Sequence, residues 1–179
     1  MPGLFAPGEG EFAAVAQRLR EAPVVHVVTH IRPDADAIGS ASALALGLQS
    51  IGVEATVRIG QHEEIPENLA TIPGVTDVIL GEPLPADGLV VTTDCASIDR
   101  TGSYRSVIQQ ERDRVVVIDH HESNPGFGSV NLVLPSESTT VIIRELFGHL
   151  GVEITPEMAY CLYAGLVTDT GSFRWGTPR

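Results

Sequence analysis

The stretch RVVVIDHHESN, residues 114–124, places a run of β-branched side chains directly before Asp119, His120 and His121. A short apolar run of this kind is typical of a strand that is buried on both faces of a parallel sheet. In open sheets of this class, ligands bind beyond the carboxyl ends of the strands. The stretch therefore predicts a parallel α/β fold with ionisable side chains at the ligand-binding edge of the sheet.

The same pattern recurs along the chain. Other strands are predicted over residues 23–30, 53–59, 76–80 and 88–94, with 129–134 as a further candidate. Helices are predicted over residues 11–20, 36–50, 103–111, 139–150 and 156–171. Strands that alternate with helices indicate an α/β domain with a mostly parallel sheet, expected here to have five strands and helices on both faces.

Composition divides the chain into three parts. Residues 1–22, rich in proline and glycine at their start, are expected to form a lead-in and a short helix. Residues 23–171 are expected to form the main domain. Residues 172–179 resemble the start of a linker.

The balance of residues predicts an ordinary globular domain. The chain has 179 residues, of which 43% are hydrophobic and 19% charged, with a formal net charge of −12. This negative charge disfavours binding to long nucleic acids through their phosphates. We see no signal peptide and no apolar run that could span a bilayer, so we expect a cytoplasmic protein without a membrane partner. Cys95 and Cys161 stand in apolar stretches and are expected to be reduced core residues.

Three predicted strands end in side chains that hard or borderline cations prefer, and a later apolar helix adds one more. These candidates are His30, Asp34 and Asp36, then Asp94, then Asp119, His120 and His121, and finally Asp169. Carboxyl ends of parallel strands meet at one edge of a sheet, so we expect the side chains to cluster. A buried carboxylate such as that of Asp169 is costly unless it is paired or bound to a metal.

The number of carboxylates in this cluster predicts a two-metal site. Mutual repulsion would raise some of their pKa values unless about two divalent cations were shared among them. Oxygen and imidazole ligands without thiolates suit Mn²⁺ best here, with Mg²⁺, Fe²⁺ or Co²⁺ as alternatives. Two metals ~3.5–4 Å apart can deprotonate a bridging water and neutralise charge on a phosphoryl group. The cluster therefore predicts metal-dependent phosphoester hydrolysis.

Each candidate also has a purely structural interpretation. Asp36 could cap the following helix, because aspartate is a good N-cap residue. His30 could be an ordinary polar residue at a strand end, and His120 and His121 could lie on the surface. Such independent features would not all fall at the same end of successive strands, so the set as a whole favours a functional site.

Four strings of the sequence resemble the motifs of a known family. In order, THIRPDADAIGSASAL, VTTDCAS, VVVIDHHESN and YAGLVTDTGSF resemble the four motifs of the DHH phosphoesterase superfamily. The resemblance runs from about residue 24 to 173 and is closest to the nanoRNase and pAp-phosphatase branch, which includes phosphodiesterases of cyclic dinucleotides. It implies a hydrolase that acts on short oligoribonucleotides, pAp or linear and cyclic dinucleotides. A small nucleotide or short RNA would be the partner, and a homodimer is expected.

The resemblance also implies roles for individual residues. His30, Asp34 and Asp94 would hold the first metal ion, and Asp36, Asp94, His120 and Asp169 the second. Asp94 would bridge the two ions. The catalytic set would be Asp94, Asp119 and His121, in which Asp119 orients a histidine or a metal-bound water and His121 stabilises developing charge or protonates the leaving group. Ser97, Asn124 and Arg100 are candidates for substrate contact or site support, and Arg100 is also a candidate for a structural ion pair.

One feature of the superfamily does not occur in these 179 residues. Its members have a C-terminal domain with a glycine- and histidine-containing motif that grips the nucleotide, and no GGGH-like string occurs here. The resemblance thus implies that residues 23–171 are the metal-binding catalytic domain and that residues 172–179 begin a linker to a C-terminal substrate-binding domain. This chain alone is therefore expected to be weakly active or inactive. Three alternatives remain open: a family II-like inorganic pyrophosphatase, a RecJ-type exonuclease, and a non-catalytic nucleotide-sensing module.

Overall fold

The computed structural model describes residues 9–172; residues 1–8 of the predicted lead-in and residues 173–179 of the predicted linker lie outside the described residues. The strands are β1 (Val24–Thr29), β2 (Glu54–Ile59), β3 (Ile79–Leu80), β4 (Leu89–Thr93), β5 (Val115–Asp119) and β6 (Val130–Val133). They form one sheet in the order β3-β2-β1-β4-β5-β6, and every neighbouring pair is parallel.

The sheet confirms the predicted α/β class, but the number of strands differs from the prediction. The described residues form six strands instead of five, because the candidate over 129–134 pairs with β5 as an edge strand. At the other edge, only two residues of the predicted strand over 76–80 are extended. The preceding residues Val75–Asp77 form a 3₁₀ turn, which shortens that strand.

Helices cover both faces of the sheet, as the alternating pattern predicts. The α-helices are α1 (Glu9–Glu21), α2 (Ala35–Ser50), α3 (Arg105–Gln110), α4 (Thr139–Leu150) and α5 (Pro156–Asp169). The predicted helix over 103–111 is only partly right, because a 3₁₀ segment over Ile98–Tyr104 precedes α3. No helix within residues 9–172 is long and apolar enough to cross a bilayer.

Two separate apolar clusters hold these layers together. The larger one packs α1, α2, α4 and α5 against one face of the sheet, where Val27 and Val91 are fully buried. The smaller one packs Tyr104 and Ile108 against Val117 on the opposite face. Burial of both faces explains why the central strands consist of continuous β-branched residues without polar alternation.

Short polar side chains begin the helices nearest the carboxyl edge of the sheet. The Asp34 carboxylate caps α2 by accepting a 2.9 Å hydrogen bond from the backbone N–H of Ala37. The alternative interpretation of Asp36 as the cap is therefore wrong, since Asp36 lies inside the first turn and is completely buried. Ser138 caps α4 in the same way.

Two glycines allow α2 and α5 to approach each other closely. A Cβ atom at Gly39 would collide with the carbonyl oxygen of Cys161. A Cβ atom at Gly165 would lie 2.7 Å from Oδ1 of Asp36, well inside van der Waals contact. The close approach brings Asp36, near the start of α2, and Asp169, at the end of α5, to the same end of the fold.

Candidate metal centre

The candidate site lies where the strand order reverses direction. Strands β1 and β4 are neighbours, with Thr29 paired to Thr93. From β1 the chain continues to β2 on one side, whereas from β4 it continues to β5 on the other. Such a switch point opens a crevice at the carboxyl ends of the strands. His30 and Asp94 follow these two strands directly and lie at this crevice.

Asp94 lies at the middle of the cluster. Its backbone has φ of 60°, a left-handed conformation that aspartate tolerates better than most residues. Its carboxylate is buried, with Oδ2 lying 3.4 Å from Nε2 of His30 and Oδ1 lying 3.5 Å from Nε2 of His120. The hydroxyl of Thr139 donates a 3.0 Å hydrogen bond to Oδ1. The two oxygens of one carboxylate thus face two different histidines.

The first group of ligand candidates consists of His30, Asp34 and Asp94. One ligand atom of each lies within 4.8 Å of the others. Nε2 of His30 is 3.6 Å from Oδ1 of Asp34 and 3.4 Å from the Asp94 carboxylate. The Asp34 side chain is half exposed, whereas the other two are buried, so this group opens toward solvent on the Asp34 side.

The second group consists of Asp36, His120 and Asp169. Nε2 of His120 lies 3.1 Å from Oδ2 of Asp169 and 3.7 Å from Oδ2 of Asp36. The backbone N–H groups of Thr139 and Thr140, in the first turn of α4, donate hydrogen bonds of 2.9 and 3.1 Å to the Asp36 carboxylate. Burial and the nearby carboxylates of Asp94 and Asp169 raise the pKa of Asp36 well above its usual value.

Both histidines that face these carboxylates are held by their other ring nitrogen. Nδ1 of His30 lies 2.8 Å from the carbonyl of Ile31, and Nδ1 of His120 lies 3.1 Å from the carbonyl of Ser136. Such bonds require a proton on Nδ1 and leave Nε2 with a lone pair, the arrangement common in metal-binding histidines. Nε2 of His120 is buried and has Oδ2 of Asp169 as its nearest carboxylate oxygen, at 3.1 Å.

The spacing of these atoms fits shared ligation better than direct hydrogen bonding. The imidazole-to-carboxylate distances of both groups range from 3.1 to 3.7 Å. Two ligands that each lie ~2.1 Å from one ion, at right angles, are ~3 Å apart. The spacing of both groups is therefore compatible with divalent cations, and the role of these residues as ligands stays a prediction.

Without a cation, His30 and His120 bind protons, and their positive charge offsets the negative charge of the neighbouring carboxylates. Burial lowers the pKa of His30, but the carboxylates of Asp34 and Asp94 outweigh burial and raise this pKa to about 10. Burial likewise lowers the pKa of His120, whereas Asp169 and Asp94 raise it to about 11. Because a metal ion binds the deprotonated imidazole, ligation would release these protons.

His121 lies at the rim of the cluster. Its Nδ1 lies 2.7 Å from Oδ1 of the buried Asp119, and its side chain is 40% exposed. The hydrogen bond to Asp119 outweighs desolvation by burial and raises the pKa of His121. The ring is also close to that of His120, with centroids 4.3 Å apart. Asp119 thus orients a histidine, which is one of the two roles implied for it.

Asn124 supports the Asp119–His121 pair through hydrogen bonds. Its amide nitrogen donates to Oδ2 of Asp119 at 2.8 Å and to the carbonyl of Cys95 at 2.9 Å, while its amide oxygen accepts from the backbone N–H of Gly126. These contacts favour site support over substrate contact for Asn124. Cys95 and Cys161 are both free and buried, as expected.

Arg100 contacts the first ligand group, and the backbone carbonyl of Ser97 accepts a hydrogen bond from the N–H of Arg100. Nη2 of Arg100 is 3.0 Å from Nδ1 of His30, the nitrogen that also approaches the Ile31 carbonyl. A guanidinium only donates, so Nδ1 cannot serve both partners, and the carbonyl is the one compatible with metal binding through Nε2. The candidate ion pair is not formed, since no carboxylate within residues 9–172 pairs with Arg100. Ser97 begins the 3₁₀ segment without a side-chain capping bond.

The start of α4 also belongs to the site, which the sequence did not predict. Thr139 bonds to both Asp36 and Asp94, and the carbonyl of Ser136 holds His120. The signal available was the hydroxyl-rich run SESTT over residues 136–140, which contains the helix cap Ser138. That run predicts a helix start, but it does not reveal which carboxylates the free N–H groups contact.

Comparison with known proteins supports the motif resemblance. Residues 24–166 match the DHH family, N-terminal domain. A bifunctional oligoribonuclease and PAP phosphatase NrnA from Thermus thermophilus is 35% identical over 84% of this chain and 44% of its own length. A probable manganese-dependent inorganic pyrophosphatase from Streptococcus mutans is 29% identical over 80% of this chain and 47% of its own length.

The fold also matches a solved structure. An exopolyphosphatase-related protein from Bacteroides fragilis superposes with a TM-score of 0.85 and 24% identity, over 98% of this chain and 54% of that protein. The chain thus spans about half the length of the proteins it matches. The likeness in structure shows the fold, and the sequence match over residues 24–166 shows the family. This chain therefore belongs to the DHH family of phosphoesterases and contains its N-terminal domain.

Proposed function

We propose that this chain is the metal-binding catalytic part of a phosphoesterase that hydrolyses short oligoribonucleotides and pAp. The observation that carries the proposal is the Asp94 carboxylate, whose two oxygens face His30 in one ligand group and His120 in the other. If two divalent cations were bound here, this buried carboxylate would be the ligand that both groups share. Phosphoester hydrolysis is a chemistry that such a pair of cations would supply.

Two bound divalent cations would supply an activated water and neutralise charge on the phosphoryl group. The chain's own residues hold the geometry for this chemistry. Asp36 is fixed by two backbone N–H groups, and His30 and His120 by backbone carbonyls, so their ligand atoms are preorganised. Preorganisation matters because a ligand that must reorient during the reaction loses catalytic advantage.

His121 is proposed to protonate the leaving oxygen. Asp119 binds its Nδ1 and raises the pKa of His121, which favours the charged imidazole. With Nδ1 engaged, the proton on Nε2 is the one available for transfer. The partial exposure of His121 allows a substrate to reach it, whereas Asp119 is fully buried and positions the ring.

Manganese is proposed as the metal. The six ligand candidates offer carboxylate oxygens and imidazole nitrogens without a thiolate, a set that suits Mn²⁺ and also Mg²⁺, Fe²⁺ or Co²⁺. The Streptococcus mutans relative is named as manganese-dependent, which supports this choice among them. A binding series with these four metals would rank them directly.

The substrate class is proposed from the name of the Thermus thermophilus relative, which combines oligoribonuclease and PAP phosphatase activities. Cyclic and linear dinucleotides are included as neighbouring substrates with the same phosphodiester chemistry. The net charge of −12 supports small nucleotides or short RNA over long nucleic acids. Pyrophosphate is a second candidate, because a relative with that activity in its name is 29% identical. Homodimer formation stays a prediction.

The test is a substrate panel on the whole protein with Mn²⁺. We expect hydrolysis of pApA and pAp to exceed that of cyclic dinucleotides and pyrophosphate. Asp94→Asn should reduce the rate by at least about 10³-fold, because it removes the carboxylate shared by both ligand groups. Asp113→Asn is the matched control: this aspartate is exposed at the opposite end of β5, and its variant should keep full activity.

Three results would contradict the proposal. If Asp94→Asn hydrolyses pApA as fast as the unaltered protein, Asp94 has no place in catalysis. If the unaltered protein binds nucleotides in the presence of metal but hydrolyses none of the panel, it is the nucleotide-sensing module instead. Faster turnover of pyrophosphate than of any nucleotide would select the pyrophosphatase alternative.

A further inference from the structure

A groove beside the candidate metal centre shares one residue, Asp34, with the ligand candidates, and its other lining residues lie outside that set. It has a volume of about 540 Å³, which falls within the range of small-molecule sites. One wall is formed by the segment before β3, with Pro66, Leu69 and Ile72. The other wall is formed by α5, with Tyr160 and Tyr163. The groove therefore lies between two parts of the chain that are about 90 residues apart.

The groove is continuous with the metal centre. Asp34 lines one end of it, and Oδ1 of the same residue lies 3.6 Å from Nε2 of His30. Along α5, Tyr160 precedes Asp169 by nine residues, which corresponds to about 13 Å of helix. A ligand with one end at the cations could therefore lie along α5 and reach both tyrosines.

The groove exposes aromatic rings that soluble proteins usually bury. Tyr160 and Tyr163 are 48% and 63% exposed, and within the described residues Ile154 is the one other large apolar side chain with comparable exposure. The hydroxyl of Tyr160 is held 2.9 Å from the hydroxyl of Thr71 on the opposite wall. Tyr163 is the more exposed of the two rings and offers the larger surface for stacking.

Charge is distributed unevenly along the groove. Among the described residues that line the groove, Asp34, at the metal end, is the one charged residue. Its other polar residues are neutral, such as Asn68 and Thr71, whose side chains can pair with the edge of a base. A phosphate would find no cation of the protein in the groove itself. The body of the groove therefore suits a neutral aromatic group, and only its metal end suits a phosphate.

We propose that this groove binds the nucleoside adjacent to the scissile phosphate, with its base stacked on Tyr163 and its phosphate directed to the metal centre. The proposal rests on the proposed function, since it assigns the substrate's nucleoside to a place on this domain. Stacking on an aromatic side chain tolerates every base, because each base has a π-face. The groove thus predicts a preference for a nucleoside without a strong preference for the base that it carries.

The test separates binding from catalysis in the whole protein with Mn²⁺ and pApA. Tyr163→Ala should raise KM about tenfold and leave kcat within about twofold, because a base lost from a stack weakens binding to this degree. Tyr163→Phe keeps the ring and should restore KM to within about threefold. Ile154→Ala, an exposed apolar residue that does not line this groove, is the matched control and should leave both constants unaltered.

A second measurement does not depend on turnover. In the Asp94→Asn protein, adenosine should perturb the NMR signals of residues lining the groove, and a Thr71→Trp substitution, which fills its exposed mouth, should abolish this effect. Unchanged KM in Tyr163→Ala together with unperturbed groove signals would overturn the proposal while leaving the proposed function intact. Conversion of a dimer to a monomer by Tyr163→Ala, with KM unchanged, would also overturn it and identify the groove as a contact between two copies.

Discussion

Replacing Gly165 by alanine should destabilise the protein, although alanine is the better helix former. The new methyl group would lie 2.7 Å from Oδ1 of Asp36 and 2.9 Å from Oγ1 of Thr140. Asp36 cannot move away freely, because two backbone N–H groups of α4 hold its carboxylate. Loss of one such bond to a buried group costs about 1–3 kcal/mol, in addition to the overpacking itself.

The magnitude follows from these opposing effects. Combined overpacking and hydrogen-bond loss cost about 3 kcal/mol, and the higher helix propensity of alanine offsets about 1 kcal/mol. The free energy of unfolding of Gly165→Ala should therefore fall by about 2 kcal/mol. For a protein of this length, this corresponds to a decrease in Tm of about 4–8 °C. Displacement of Asp36 should also weaken Mn²⁺ binding.

Gly148 provides the matched control on α4. A Cβ atom at Gly148 would have no neighbour within 4 Å, so Gly148→Ala should increase the free energy of unfolding by about 0.5–1 kcal/mol. Both variants would be compared by urea unfolding in the presence of a chelator, with the slope m checked for each. Equal or higher stability of Gly165→Ala would refute the close approach of α2 and α5 and the fixed position of Asp36.

Three further predictions concern the metal centre and its support. With Mn²⁺ at about 100 times its dissociation constant, each occupied site should stabilise the protein by about 2.7 kcal/mol. In thermal unfolding, Asp34→Asn should lose the stabilisation from one site and Asp94→Asn the stabilisation from both. Equal losses in the two variants would contradict a shared bridge. The pKa values of His30 and His120 are about 10 and 11 without metal, so binding of metal at pH 7 should release about two protons from these imidazoles. Titration calorimetry would detect this release as a binding heat that depends on the buffer. A binding heat that is the same in all buffers would show that the imidazoles are not ligands. Asn124→Ala should lower the free energy of unfolding by about 1–3 kcal/mol in urea, because it leaves two buried acceptors unpaired, and an unchanged value would mean that water replaces the amide.

Most elements of the fold could be predicted because their signals are local. The predicted helix over 139–150 coincides with α4, and the one over 36–50 differs from α2 by a single residue. The prediction was less accurate where local signals were weak. The strand over 76–80 shrinks to two residues, and the helix over 103–111 begins as a 3₁₀ segment. In both places, contacts with the rest of the fold decide between conformations of similar local energy.

The ligand candidates could also be predicted from the sequence, since parallel strands bring their carboxyl ends to one edge and the motifs mark those ends. The sequence alone therefore determined the α/β class, the family and the identity of the clustered side chains. Only the tertiary structure decided that Asp94 faces a different histidine with each oxygen, that α4 holds Asp36, and that a groove separates α5 from the segment before β3. These features depend on the direction of side chains and on contacts between residues as many as 104 positions apart, and a local pattern of residue types specifies neither.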